Sequence, residues 1–280
     1  MITIKRILFP TDFSETAQQA FQYALSFANM RGASVEVMYV VAPDYMVSAD
    51  LPTPSINVTQ KRLEVGEEII EDFVKLGKSV AGKAAKNVVV TIANTKIGNP
   101  VNTIKEEAEE KLMDLIILGT NANNDLIDKV FGTFALNMMN AASCPVLIVP
   151  KEANLQPPTK VLYAAALTKD DYRSFHQVTD VLAGFQPKYH SLHINTGKTP
   201  VITLQEFSAY FAAQTPQLSI DFHESEFDNV AEGLENFIQT HQVNLLAMHL
   251  PNRSFFENLF RENVTKKMVL RSNLPILVYK

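Results

Sequence analysis

Apolar residues recur along the first 150 positions in two alternating rhythms. Short, largely β-branched runs (Ile7-Leu8-Phe9, Val35 to Val41, Val88 to Ile92, Leu115 to Leu118 and Val146 to Val149) read as strands buried on both faces, as in a parallel sheet. Longer segments with helical spacing separate them. Ala17, Ala20, Phe21, Ala24, Leu25 and Ala28 fall at i, i+3, i+4 intervals, with Ser14 placed to cap the start and Gly32 to stop the end. Leu63, Ile69, Ile70, Phe73 and Val74 mark a second helix. Asn99-Pro100 opens a third, a cap followed by proline at the first helical position, which continues through Ile104, Ala108 and Leu112. A fourth runs from about Thr133 to Ala142. Strand and helix in alternation predict a parallel sheet with helices on both faces.

Residues 151–159, Lys-Glu-Ala-Asn-Leu-Gln-Pro-Pro-Thr, break this rhythm, because two prolines can continue neither a helix nor a central strand. Beyond them the first half is met again. Lys160-Val161-Leu162-Tyr163 repeats Arg6-Ile7-Leu8-Phe9 at a spacing of 154 residues, and Tyr189 to Ile194 repeats Val35 to Val40 at the same spacing. Later the spacing falls to 130: Asn244-Leu245-Leu246-Ala247-Met248 lies over Asp114 to Leu118, and Leu274 to Val278 over Cys144 to Ile148. The second copy therefore lacks 24 residues between its second and third strands, where the first makes a longer excursion around Pro43 to Thr59. The expected organisation is α/β, with two tandem Rossmann-like domains at 1–150 and 160–280, a linker at 151–159, and five parallel strands in each domain. The last strands, Pro145 to Pro150 and Pro275 to Lys280, are apolar and would be exposed edges. They are expected to pair antiparallel within the chain, making it an intrachain pseudo-dimer.

Composition narrows the function classes. With 25 Lys and Arg against 30 Asp and Glu, and a net charge of -5, the chain carries no basic surface for nucleic acid or anionic membrane. Its longest apolar runs are far shorter than the roughly 20 residues that span a bilayer. Cys144 is the only cysteine, so no intrachain disulfide forms. With no signal peptide after Met1, a cytoplasmic location is expected.

In an open parallel sheet, ligands bind beyond the carboxyl ends of the strands. Here the first strand runs into Pro10-Thr11-Asp12-Phe13-Ser14, and the fourth into Leu118-Gly119-Thr120-Asn121-Ala122, followed after nine residues by Gly132-Thr133. Glycine lets backbone approach phosphate oxygens, and a helix N-terminus offers free N–H groups to an anion.

Four separated motifs, Pro10-Thr11-Asp12-Phe13-Ser14, Ile97-Gly98-Asn99-Pro100, Asp114 to Thr120 and Cys144 to Val149, resemble the universal stress protein family in tandem form. The resemblance implies five-stranded Rossmann-like domains. It also implies a G-x2-G-x9-G-[S/T] loop for the phosphates of ATP or a related adenine nucleotide, with the aspartate after the first strand near the adenosine. Carried onto this chain, the binding residues would be Pro10, Thr11, Asp12, Val41, Leu118, Gly119, Ala122, Gly132, Thr133 and Ala135. The loop departs from the pattern: Ala122 replaces its second glycine, Asn121 a basic residue, and Ala135 a second hydroxyl. In the second copy Ala166, His249, Asn252, Glu262 and Asn263 stand for Asp12, Gly119, Ala122, Gly132 and Thr133. Glu262 would set a carboxylate against phosphate, so that half reads as structural.

Other signals have simpler readings. Gly77-Lys78-Ser79 lies late in a helix without the earlier glycine of a P-loop. His190 and His193 are three apart on a strand and face opposite ways, so no metal is expected between them, and His249 reads as a pocket-lining residue. Asp12 suits a helix cap as well as a ligand contact, Cys144 and Met138-Met139 suit packing, and Glu106 to Glu110 a solvated helix face. With neither a G-x-S-x-G elbow nor a general base beside the loop, the expectation is a non-catalytic stress-response protein. The alternative is a protein of the same fold that works through surface contacts without nucleotide.

Overall fold

A computed structural model of the chain describes residues 3–43, 45–48, 51–54, 56–120, 128–250 and 274–280. Its first half runs β1 (Arg6–Pro10), α1 (Glu15–Arg31), β2 (Ser34–Met38), the short β3 (Val40–Val41), the antiparallel pair β4 (Tyr45–Ser48) and β5 (Leu51–Pro54), α2 (Ile56–Ala81), a 3-10 turn at Gly82–Ala85, β6 (Val90–Ile92), β7 (Lys96–Ile97), α3 (Pro100–Glu110), β8 (Leu115–Thr120), α4 (Asp128–Ala141) and β9 (Val146–Pro150). The second half runs β10 (Lys160–Ala164), α5 (Asp170–Val181), β11 (Lys188–Asn195), α6 (Leu204–Gln214), β12 (Ile220–Glu226), α7 (Val230–His241), β13 (Leu245–His249) and β14 (Ile276–Tyr279).

Ten of these strands form one sheet in the order β12-β11-β10-β13-β14-β9-β8-β1-β2-β6. Each half contributes five parallel strands, and a single antiparallel seam joins them, with Ile276 opposite Ile148, Leu277 opposite Leu147 and Val278 opposite Val146. Alternation along each strand sends side chains to two faces. Phe9, Leu147, Leu277 and Tyr163 pack with α1, α2, α5 and α6 on one face, while Leu8, Ile148, Ile276 and Leu162 pack with α3, α4 and α7 on the other. Both cores cross the seam without interruption.

The two halves match in backbone and hydrogen bonding as well as in sequence. Three left-handed residues of the first half, Phe13 (φ 62°), Gly32 (φ 60°) and Leu112 (φ 49°), recur as Leu167 (φ 56°), Gln186 (φ 50°) and Gln242 (φ 54°). Side chains other than glycine enter this region at a cost, so their recurrence at corresponding places marks turns that the fold dictates. Asp114 Oδ2 accepts from the N–H groups of Lys5 and Arg6, and its counterpart Asn244 Oδ1 accepts from Thr159 and Lys160. Asn99 caps α3 as Asn229 caps α7.

Several local expectations shift. The strand expected from Val35 to Val41 divides, because Val40–Val41 leaves β2 to pair with Lys96–Ile97. The strand expected from Val88 begins at Val90, and the second helix extends over residues 56–81. Gly77-Lys78-Ser79 lies inside that helix, where a Cβ on Gly77 would collide with the ring of Phe21; the glycine serves α1–α2 packing. Helix α4 starts at Asp128, five residues before the expected Thr133. The run Glu106 to Glu110 is not wholly a solvated face, since Glu107 is buried and held between Lys96 and Lys111.

At the start of α5, Asp171 is buried and accepts from Tyr163 Oη at 2.5 Å, Thr168 N at 2.7 Å and Thr168 Oγ1 at 2.9 Å. Removing a buried charged acceptor leaves its donors desolvated and unpaired. Asp171→Ala is therefore expected to cost about 3 kcal/mol in denaturant unfolding. Adding Tyr163→Phe to that variant should recover part of the loss, because one stranded donor disappears with the hydroxyl.

Candidate functional site

The site expected from the sequence lies where the sheet order changes direction. The connection from β1 leads to β2 on one side, while β8 flanks β1 on the other, which opens a crevice beyond their carboxyl ends. Pro10 ends β1 buried against Met38, Thr11 donates its N–H to Met38 O, and Leu118-Gly119-Thr120 ends β8. Val41 stands just past β2, its carbonyl accepting from Gly98 N. The strand ends thus bring Pro10, Thr11, Asp12, Leu118, Gly119 and Val41 to one edge of the sheet.

The β1–α1 turn is tightly built. Phe13 N–H donates to Thr11 Oγ1, Ser14 N–H donates to Asp12 Oδ1, and Ser14 Oγ accepts from Ala17 N to cap the helix. Ser14 is thus the cap, and Asp12 remains exposed with one carboxylate oxygen on the turn. The left-handed backbone at Phe13 turns its ring onto Tyr39 (4.6 Å between centroids) and Phe73 (5.8 Å).

Phe13 and Tyr39 form one wall of a cavity of about 560 Å³. Helix α2 supplies the other, through Val58, Val65, Gly66 and Ile69, with Lys61 and Arg62 adding cationic groups. Gly66 is fixed by this packing, since a Cβ there would meet the Tyr39 ring at 2.4 Å. Volume and an apolar lining with few polar groups suit a small organic ligand. No sequence motif announced this cavity, because its walls come from three separate stretches of the chain, at Phe13, Tyr39 and α2.

The remaining expected residues separate into three groups. Gly119 is packed so closely on α1 that a Cβ would stand 3.0 Å from Thr16 O and 3.1 Å from Ala20 Cβ, so helix–strand approach favours glycine there. Ala135 is buried in the same core cluster as Leu136, Met138 and Met139. Gly132 and Thr133 lie in the second turn of α4, with Thr133 exposed; Ala122 falls outside the described residues. In the second half, Ala166 is exposed at the position of Asp12, and His249 ends β13 at the position of Gly119. Asn252, Glu262 and Asn263 fall outside the described residues. Cys144 is mostly enclosed, and burial pushes its thiol up to about 12, which keeps it protonated and unreactive at neutral pH.

Residues 3–150 match the universal stress protein family over more than half of the chain. The chain belongs to that family. Universal stress protein Slr1230 from Synechocystis sp. is 24% identical over 300 residues, covering 99% of this chain and 100% of the relative. Universal stress protein MJ0531 from Methanocaldococcus jannaschii is 29% identical over 147 residues, covering 52% of this chain and 82% of the relative. The crystal structure of a universal stress protein from Archaeoglobus fulgidus DSM 4304 superposes over 100% of this chain and 97% of its own, with a TM-score of 0.74 at 16% identity, a likeness of fold. Among the described residues of this universal stress protein, no helix is long and apolar enough to cross a membrane.

Proposed function

We propose that this universal stress protein is a non-catalytic, cytoplasmic stress-response protein whose first half (1–150) binds one adenine nucleotide of the ATP class and whose second half (160–280) is structural. The observation that carries the reading is what gathers past the carboxyl ends of the central strands: Asp12 is exposed just beyond β1, and the next residue, Phe13, walls the cavity with Tyr39. Asp12 suits a ribose hydroxyl, and the aromatic wall suits a purine face. Phosphates would fall to the segment from Gly119 to Thr133. For Gly132 and Thr133 to present free N–H groups, the first turn of α4, Asp128 to Phe131, must open, because only the first turn of a helix has unpaired donors.

Calorimetric titration of the full chain with ATP is expected to give one equivalent bound per chain. Gly132→Glu should abolish binding by setting a carboxylate against phosphate, and Ala122→Gly should strengthen it several-fold by freeing the loop backbone. Two equivalents per chain would show the second half to be a site as well. Unchanged affinity in both variants would place the nucleotide elsewhere. The burial of Ala135 and the early start of α4 favour one other reading, an interaction protein of the same fold, for which no ATP would bind.

A further inference from the structure

The halves diverge in chemistry at one further corresponding place, between the second and third strands of each sheet and the helix that covers them. In the first half this place is a closed ion-pair network, in which Lys111 Nζ lies 2.6 Å from Glu36 Oε1 and 2.7 Å from Glu107 Oε1, with Lys96 on the other oxygen of Glu107. In the second half the counterparts of Glu36, Glu107 and Lys111 are His190, Phe237 and His241, and those of Thr91 on the third strand and Ala93 just past it are Asp221 and His223. The central cation of the first half is gone, and nitrogen ligands surround its place.

The parallel register of β11 and β12 sets His190 opposite Asp221 and Leu192 opposite His223, so His190, Asp221 and His223 share the face beneath α7. His190 Nδ1 lies 3.2 Å from His223 Nε2 and 3.7 Å from Asp221 Oδ2, and the three donor atoms all fall within 4.8 Å of one another. Two nitrogens bound to one tetrahedral ion at about 2.0–2.1 Å stand about 3.3 Å apart, close to the separation already present. His241 comes from α7, its ring centroid 5.5 Å from that of His190 and 5.7 Å from that of His223. Its Nδ1 lies 3.2 Å from Phe237 O, which can only accept, so Nδ1 donates there and Nε2 is the nitrogen left to face an ion, the backbone support usual for a metal-bound imidazole. Phe237 stacks on the His241 ring at 3.8 Å and 9°, fixing its plane. His190 is buried, while Asp221, His223 and His241 are half-buried, leaving a route in from solvent.

We propose that His190, His223 and Asp221, with His241 or water completing the shell, form a site for a divalent transition metal of the zinc class, built into the half of the chain that carries no nucleotide motif. Lys188 Nζ lies 2.8 Å from Asp221 Oδ2, the oxygen that stands 3.7 Å from His190 Nδ1. On binding, whichever ring donates in the present imidazole–imidazole hydrogen bond moves its proton to its other nitrogen, and each then gives a lone pair to the ion with no net proton released from the pair. Two imidazoles and a carboxylate select zinc, cobalt or nickel over magnesium or calcium. Pairing His190 with His193 would have failed, as alternation on β11 requires. The partners come from β12, a strand the sequence pattern left unmarked.

The test is titration of the full-length, chelator-treated protein with Zn2+ by calorimetry and with Co2+ by visible absorption. One equivalent per chain is expected, with affinity in the micromolar range or tighter and the d–d absorption of a four-coordinate nitrogen and oxygen site. His223→Gln and Asp221→Asn, at half-buried positions on an edge strand, should each weaken binding at least tenfold, while His176→Gln on α5 should leave it unchanged. Circular dichroism of each variant establishes that it is folded. No binding at 100-fold molar excess of Zn2+, or an affinity unmoved in folded His223→Gln and His190→Gln proteins, would overturn the assignment.

Discussion

Replacing Leu277 by aspartate is expected to destabilise the chain by about 5 kcal/mol or more, enough to remove most of the stability of an ordinary domain. Leu277 is fully buried and stands opposite Leu147 in the seam between β14 and β9, where one core passes from the first half to the second. The substitution loses about 2 kcal/mol of apolar burial and sets a carboxylate where no partner stands. Such a group takes up a proton, so its cost is largest at neutral pH and shrinks as pH falls toward the raised value of the buried acid. Leu277→Met, which conserves volume, should cost less than about 1.5 kcal/mol. Thermal unfolding of the three proteins at pH 7 checks both. A Leu277→Asp protein that melts with the parent would show that the seam contributes little to stability.

The seam was legible because it follows from one physical liability. Val146 to Val149 and Ile276 to Tyr279 are apolar on both faces, so neither could remain an exposed edge, and the duplication made them each other's natural complement. The central strands were legible for the same reason, since β1, β8, β10 and β13 are unbroken apolar runs. What escaped the sequence was set by geometry across long separations. Val40–Val41 reads as a continuation of β2, yet it leaves the sheet to pair with Lys96–Ile97, a choice that no local pattern signals. Strand β12 (Ile-Asp-Phe-His-Glu-Ser-Glu) is an edge strand with polar residues throughout, so the apolar rhythm that marks buried strands is absent.

The site was legible in outline only. Glycine at 119 carries two physical meanings, close phosphate approach and close helix approach, and only the 3.0 Å gap to Thr16 O brings in the second. Ala135 illustrates the same limit, because an alanine in a predicted helix does not reveal whether its face meets a ligand or the core. The cavity beside Phe13 depends on a left-handed turn at a phenylalanine, which composition gives no reason to expect.

Glu107 supplies the second large effect. It sits in a run of acidic residues that reads as solvated, yet its side chain is only 3% exposed, with Lys96 Nζ at 2.5 Å and Lys111 Nζ at 2.7 Å, and Lys111 extends the network to Glu36. Burial alone would raise the Glu107 carboxyl, but hydrogen bonds from Lys111 and Lys96 outweigh it and hold the carboxyl below its ordinary value of 4.5. A carboxylate with a depressed value in the folded chain stabilises fully above the unfolded value, and that contribution is lost as pH falls through the folded one. Glu107→Gln keeps the shape but removes the charge that two lysines share. Breaking a buried pair costs about 3–5 kcal/mol, and because both lysines are about two-fifths exposed and partly screened, roughly 2–3 kcal/mol is expected at pH 7. As pH falls from 4.5, where the unfolded chain takes up this proton, through the lower folded value, where the parent protonates Glu107 too, the gap between parent and variant should close progressively. Urea unfolding of both proteins at pH 7 and at successively lower pH measures it. A gap that stayed constant from neutral pH into acid would mean that the glutamine variant loses packing rather than charge.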